Sequence, residues 1–367
     1  MRLHKLFPLA LSLSLLLSAC GGAPAAYLSP QPEHSLPAAA TPTPDPTPTP
    51  TPEYTGPRNP LTGEPLDEAY VNRRPVAVML NNLKGALPQL GVAQADILYE
   101  CITEGGITRM LGVWQDPSET GAIGSIRSAR PYYLELALGH DAVFIHAGGS
   151  TDAYDKIRAW GVTALDGVNG PYCGSSPGSN LMWRDAERRR NLGYEHSVIT
   201  TGETIETQFA SYSFRMDHKE GYTYEMAFTD DGTPAGGTAA NTITVPFSNV
   251  KTGVFTYDPE QGRYRVEEYG APYVDGNTGE QVCVTNVLIL KTACRGTGDS
   301  LGHITVDLSS GGEGYFACGG QVIPIRWSKA GRSAQLVYTD ASGTPITLGR
   351  GNSYVNIVPL DSAISIQ

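Results

Sequence analysis

Charged residues set between glycines and a proline mark one stretch of this chain. Glu104-Gly105-Gly106-Ile107-Thr108-Arg109 is followed a short way on by Gly124-Ser125-Ile126-Arg127-Ser128-Ala129-Arg130-Pro131. The run after it predicts a helix over 129–138, with Ser128 as N-cap and Gly139 as its stop. Arg127 and Arg130 then stand at the helix N-terminus, where each cation opposes the macrodipole by roughly 0.3–1 kcal/mol. Such an arrangement calls for an anion. Either an internal carboxylate such as Glu104 supplies it, or a bound carboxylate or phosphate does, held by backbone N–H groups and the guanidinium forks of Arg109, Arg127 and Arg130.

Two further groupings carry reactive side chains. In Phe144-Ile145-His146-Ala147-Gly148-Gly149-Ser150 a strand ends on histidine, and Gly148 and Gly149 let backbone approach a ligand closely. The same pattern serves a hydrogen-bonded structural histidine beside a tight turn, and Ser150 reads as an N-cap rather than a nucleophile. The other grouping is Asp166, then Met182-Trp183-Arg184-Asp185, then Glu195-His196-Ser197. Acid, base and imidazole together suit proton transfer, and equally a buried polar network. No HExxH or P-loop pattern is present in the sequence, and Gly174-Ser175-Ser176-Pro177-Gly178-Ser179 reads as loop rather than as a nucleophile elbow. Cys173 has no adjacent base to activate it.

Strands and helices must position these groups. Val76–Leu80, Ala95–Ile102, Thr108–Trp114 and Ala142–His146 have the length and apolarity of strands. Thr151–Trp160 and Gly202–Ser211 read as helices. From about Tyr222 short apolar stretches alternate with Gly, Asp and Asn turns, and Phe255–Tyr257 with Arg263–Val266 predicts a hairpin. The fold class expected is α+β: a layered α/β sandwich over 57–220, then a β-rich domain over 221–367.

The N-terminus gives an address. Arg2 and Lys5 precede an apolar run to Leu17, too short to span a bilayer, which closes on Leu17-Ser18-Ala19-Cys20-Gly21. That ending resembles a lipobox, which implies a signal peptide over 1–20 and lipid on Cys20. Residues 21–56, with Thr41-Pro42-Thr43-Pro44 continuing to Pro52, predict an extended polyproline tether. At ~3.1 Å per residue it reaches roughly 100 Å. Without Arg2 and Lys5 the chain carries 24 basic and 37 acidic residues, a net charge of −13. That balance argues against nucleic acid and against general adhesion to anionic lipid or wall polymer. Besides Cys20 there are five cysteines: Cys101 in an apolar run reads as a buried strand residue, and a disulfide among Cys283, Cys294 and Cys318 is one open option. No CxxC spacing supports a metal site.

Several of these segments resemble one family in order along the chain. Arg74-Pro75-Val76-Ala77-Val78-Met79, Ala95-Asp96-Ile97-Leu98-Tyr99-Glu100, Ser128-Ala129-Arg130-Pro131, His146-Ala147-Gly148-Gly149, Trp183-Arg184-Asp185 and Ile325-Arg326-Trp327-Ser328-Lys329 are similar to the YerB-like bacterial lipoproteins. The resemblance covers residues 59–360. It implies a layered α+β first domain and two domains of unknown function, with a link to cell-envelope and penicillin-binding-protein assemblies. Where that family has a His-Asn pair, this chain has His196-Ser197, which puts any role of that amide in doubt.

The expectation is a lipid-anchored protein on the outer face of the cell membrane, binding a partner protein or a wall-derived anionic ligand without catalysis or cofactor. A first-domain pocket would be lined by Glu104, Arg109, Arg127, Ser128, Arg130, His146, Gly148, Gly149, Asp166, Arg184 and His196. The alternative is an enzyme acting on peptidoglycan or another envelope glycan, with His146 or His196 as base.

Overall fold

Val76–Asn81 is apolar at every position but the last, the pattern of a strand covered on both faces. In the computed structural model, which describes residues 54–367, it is the strand β1 near the middle of a large mixed sheet. Cys20 and the proline-rich residues up to 53 lie outside the described residues. Following the chain, the sheet's other main strands are β2 (Ile97–Ile102), β3 (Thr108–Trp114), β4 (Val143–His146), β5 (Ala164–Asp166), β6 (Asn286–Thr292), β7 (Gly312–Cys318), β8 (Gln321–Ser328) and β9 (Ser353–Pro359). Their spatial order is β8-β7-β6-β9-β2-β3-β1-β4-β5.

Both halves of the chain build this sheet. The seam is the parallel pair β2/β9, in register from Ile97↔Ser353 to Cys101↔Ile357. On the other side β9 is parallel to β6, while β3 lies antiparallel between β2 and β1. The last main strand is thus inserted beside an early one, and residues 54–367 form one compact unit.

The strand period of two divides the core. Along β1, Val76, Val78 and Leu80 face one apolar cluster and Ala77 and Met79 face the other. The first cluster takes in Ile243, Val245, Phe255 and Val266 from a six-stranded antiparallel sheet, and Ile123, Met182 and Val198 from a four-stranded one. The second takes in Tyr132, Tyr133 and Leu136 of helix α1 (Pro131–Gly139) and Ala153 of helix α2 (Thr151–Trp160). Sheets lie on one face and helices on the other, the layered α+β arrangement expected. The 255–266 hairpin also forms, as Thr252–Asp258 paired with Arg263–Glu268.

Two expectations need correction. Helix α1 starts at Pro131, with Arg130 at the cap position in extended conformation and no side-chain cap bond. Proline disfavours helical backbone in the residue before it and suits the first helical position, so Ser128 cannot be the cap. Its hydroxyl donates to the Ala147 carbonyl instead, at 3.2 Å. Nor does Gly139 stop the helix; it is the last helical residue, followed by His140 as C-cap and Asp141 at φ +51°. The option of a disulfide among the late cysteines also fails: Cys101, Cys173, Cys283, Cys294 and Cys318 are all free thiols. Cys101 is fully buried on β2, as its apolar run implied.

Candidate functional site

The strand β2 runs into a tight turn at Glu104–Gly106, where Gly105 and Gly106 both take positive φ. The turn aims Glu104 back over the sheet at two guanidinium groups. Arg109, on β3, gives Nη2 to Glu104 Oε1 at 2.7 Å and Nη1 to the Ser128 carbonyl at 2.9 Å. Arg130 grips both Glu104 oxygens, with Nε to Oε2 at 3.2 Å and Nη2 to Oε1, and Nη1 reaches the Ala129 carbonyl at 2.7 Å. Both arginines are nearly buried. Burial works against the Glu104 charge, but Arg109 and Arg130 outweigh it and hold the carboxyl below its usual range. Burial, aided by Arg130, lowers Arg109 to about 10. The anion called for at this helix end is therefore Glu104.

His146 ends β4 and is only 1 % exposed. Its Nδ1–H donates to the Gly148 carbonyl at 2.8 Å, which fixes the tautomer. Burial keeps the ring's pKa below the usual value. Asp166 at the end of β5 closes the same turn: Oδ1 accepts the Gly148 and Val168 amides, both at 2.8 Å, and Oδ2 accepts the Tyr154 hydroxyl at 2.7 Å. Burial raises the Asp166 carboxyl, yet Tyr154 and these amides bring it below its ordinary value. Gly148, at φ +81°, supplies the left-handed corner. Gly149 forms a bridge with Ala129.

The remaining three residues meet around Tyr194–His196. Arg127 pairs with Glu195 at 2.7 Å, and Arg184 lies 3.6 Å over the Tyr194 ring. Asn81 Oδ1 accepts the Leu83 amide, so its Nδ2 must donate to His196 Nδ1, at 2.8 Å. Burial lowers the His196 pKa as well.

The eleven residues thus form three separate groups flanking the 125–130 segment, rather than the walls of one pocket. Their charged atoms are largely spent on one another. Open space lies elsewhere. A polar cleft of about 730 Å³ is lined by Glu64, Asp96, Asp230, Arg263, Arg350 and Asn352 among others. A second cleft of about 530 Å³ shares Arg263 with it. In the first, Arg350 pairs with Asp230. Burial pushes the Asp96 carboxyl up to about 6. Arg263 gives Nη2 to the Cys283 carbonyl and to Asn352 Oδ1, at 2.5 and 2.9 Å. Among the described residues no carboxylate neutralises it.

A third polar centre escaped the sequence reading. Glu100, Lys251 and Glu268 meet in the interior beside Asn82, Thr108 and Tyr354, every one of them buried. Along β2 the alternation that sends Ile97, Tyr99 and Cys101 to the helix side sends Leu98 and Glu100 to the other. A carboxylate on a core-facing position was the available signal.

This order of strands, built from both halves of one chain, has a counterpart of known structure. The chain matches the N-terminal domain of the family described as "Protein of unknown function (DUF3048)" over residues 61–215, and its C-terminal domain over residues 243–355. It belongs to that family. It is 30% identical over 308 residues to YerB of Bacillus subtilis (strain 168), a protein provisionally named a lipoprotein, covering 83% of this chain and 87% of that one. The crystal structure of YerB superposes with a TM-score of 0.71 at 27% identity, covering 84% of this chain and 99% of YerB's.

Proposed function

We propose that this chain is a lipoprotein, anchored through Cys20 on the outer face of the cell membrane, that binds a wall-derived anionic ligand without acting on it. The observation that carries the reading is Arg263. It stands where two polar clefts join, with a guanidinium edge free of any internal carboxylate. An uncompensated arginine in a concave polar site suits a carboxylate, to which its remaining amino group, Nη1, can give a charge-assisted N–H bond. The lipobox-like ending at Cys20 and the proline-rich composition of 21–56 support that location. The three charged groups of the first half support the fold instead, since Glu104, Asp166 and Glu195 already occupy their cations and amides.

The test is a titration of the protein with purified peptidoglycan fragments carrying free peptide carboxylates, followed calorimetrically. Arg263→Gln is expected to weaken binding at least about tenfold, the loss of one charge-assisted contact. Equal binding by Arg263→Gln with an unchanged melting temperature would overturn the cleft as the site. Release of new fragments from intact peptidoglycan by the wild-type protein would overturn the non-enzymatic reading.

A further inference from the structure

The interior centre has a composition that a merely stabilising ion pair does not need. Lys251 sits in the turn between Thr242–Pro246 and Thr252–Asp258, its side chain 0 % exposed. Its Nζ lies 3.1 Å from Glu100 Oε1 and 2.8 Å from Glu268 Oε2. The Asn82 carboxamide sits on the same two carboxyls, with Nδ2 at 2.8 Å from Glu100 Oε1 and 3.1 Å from Glu268 Oε1. An amine and a carboxamide are therefore bridged twice, each time through a single carboxyl group. The Phe247 and Tyr269 rings cover Nζ at 6.0 and 4.8 Å, and the Asn82 Oδ1 has no partner.

The hydrogens can be counted. Tyr354 has one hydroxyl proton but lies 2.6 Å from Glu100 Oε2 and 3.0 Å from Glu268 Oε1. It can donate to only one of them. The shorter contact is its donation to Glu100, and the longer one then requires a proton on Glu268 Oε1, donated to the Tyr354 oxygen. Burial, with the Glu100 charge adding to it, pushes the Glu268 carboxyl up to about 7, in keeping with that count. A base, an acid, an amine and an acyl group share one buried site.

We propose that Lys251 and Asn82 join in an intramolecular amide cross-link, Nζ bonding to Asn82 Cγ with loss of ammonia. The lysine ammonium first passes a proton to Glu100. The free amine then adds to Cγ, and the carbonyl electron pair moves onto Oδ1. Glu268 gives its Oε1 proton to Nδ2 and recovers one from the attacking nitrogen. Collapse of the intermediate restores the carbonyl, breaks the Cγ–Nδ2 bond and releases ammonia. One C–N bond forms and one breaks, nothing is oxidised or reduced, and both carboxyls finish protonated. Glu100 and Glu268 act here as general base and general acid, and fixed proximity replaces an encounter in solution.

The energetics favour the direction. A buried ion carries a desolvation cost of several kcal/mol even when paired, and the cross-linked product has no charge at this site. The bond would fasten Asn82, just past β1, to a turn of the second half. It would do so in a chain whose five described cysteines are all free, so that no disulfide performs the task.

The measurement is the mass of the compact unit 54–367 together with a tryptic map of the full chain, after incubation at neutral pH. The expected mass is that of the sequence less one ammonia, with trypsin no longer cutting after Lys251 and one peptide pair joining Asn82 to Lys251. Lys251→Met is expected at its full mass. A wild-type protein of full mass, cut normally after Lys251, overturns the proposal. So does an ammonia loss that persists in Lys251→Met, which would mark ring closure at Asn82 alone. Should Lys251→Met fail to fold, the wild-type mass and map decide between these outcomes.

Discussion

Glu100, on β2, and Glu104, in the turn that follows it, stand four residues apart in the chain, and each is the hub of a polar cluster, yet their surroundings drive them to opposite chemistry. Glu104 lies at the rim with two arginines around one carboxylate, so cations are in excess. Glu100 lies inside with Glu268, and one lysine serves two carboxyls, so protons must make up the difference. Burial is common to both. What differs is the ratio of charges and the access of water. The rim cluster can settle as ions because its carboxylate is about one-fifth exposed. The inner one is buried away from bulk solvent, where a spare charge is costly, so it holds a proton or reacts.

The sharpest way to break this comparison is to remove the inner cation. Lys251→Met removes the cross-link and the cation from which it forms, leaving two carboxyls facing one another in the core, and is expected to destabilise the fold by about 3–5 kcal/mol. Adding Glu100→Gln and Glu268→Gln to that variant is expected to recover the part of the loss that comes from facing carboxyls, since no ion then remains. Denaturant midpoints of the single and triple variants measure both. If Lys251→Met unfolds at the wild-type midpoint, Lys251 contributes nothing to holding the inner cluster and the contrast with Glu104 falls.

How much of this was legible beforehand follows from where partners come from in the chain. Strands β1 and β3 and helix α2 could be read because apolar runs and caps are local: Ser150 does accept the Ala153 amide at 3.2 Å. The three charged groups near residue 130 were visible as residues but not as pairings. Nothing in sequence says that Arg127 turns to Glu195 while Arg130 turns to Glu104. The inner cluster was invisible as a unit because Asn82, Glu100, Lys251, Glu268 and Tyr354 are drawn from both halves. Lys251 follows Asn249 and Val250 in a stretch that looks like an exposed turn. The β2/β9 seam, with the six-stranded sheet packed against it, brings these residues together. The start of helix α1 failed for a local reason, the proline, which outweighs a nearby serine.

Acid–base titration of stability offers a second, smaller contrast. The Glu268 carboxyl rises from 4.5 to about 7 on folding. Between those values the folded chain holds a proton that the unfolded chain has released. Its contribution is thus fully present below pH 4.5 and is lost as pH rises towards 7. Glu104 behaves in reverse: its carboxyl is held below 4.5, so its contribution is present above that value and is lost as pH falls below it. Chemical denaturation at a series of pH values is expected to show Glu268→Gln flattening the decline between pH 4.5 and 7. Glu104→Gln should flatten only the acid limb. The two variants altering the same limb would mean that the clusters are not electrically distinct.

The smallest effect separates two serines at the start of the two helices beside Glu104 and Asp166. Ser150 is an N-cap of α2, and Ser150→Ala is expected to cost about 1 kcal/mol by leaving the Ala153 amide unsatisfied. Ser128 caps nothing. Its hydroxyl spans from the 125–130 segment to the Ala147 carbonyl, and that acceptor already lies in a turn held by His146, Gly148 and Asp166. Ser128→Ala removes the donor, not the acceptor's surroundings, and is expected to cost less than Ser150→Ala. Thermal midpoints of the two variants order them directly. Ser128→Ala being the more damaging would show that the hydroxyl couples the arginine group to the histidine group, and that the three groups act as one.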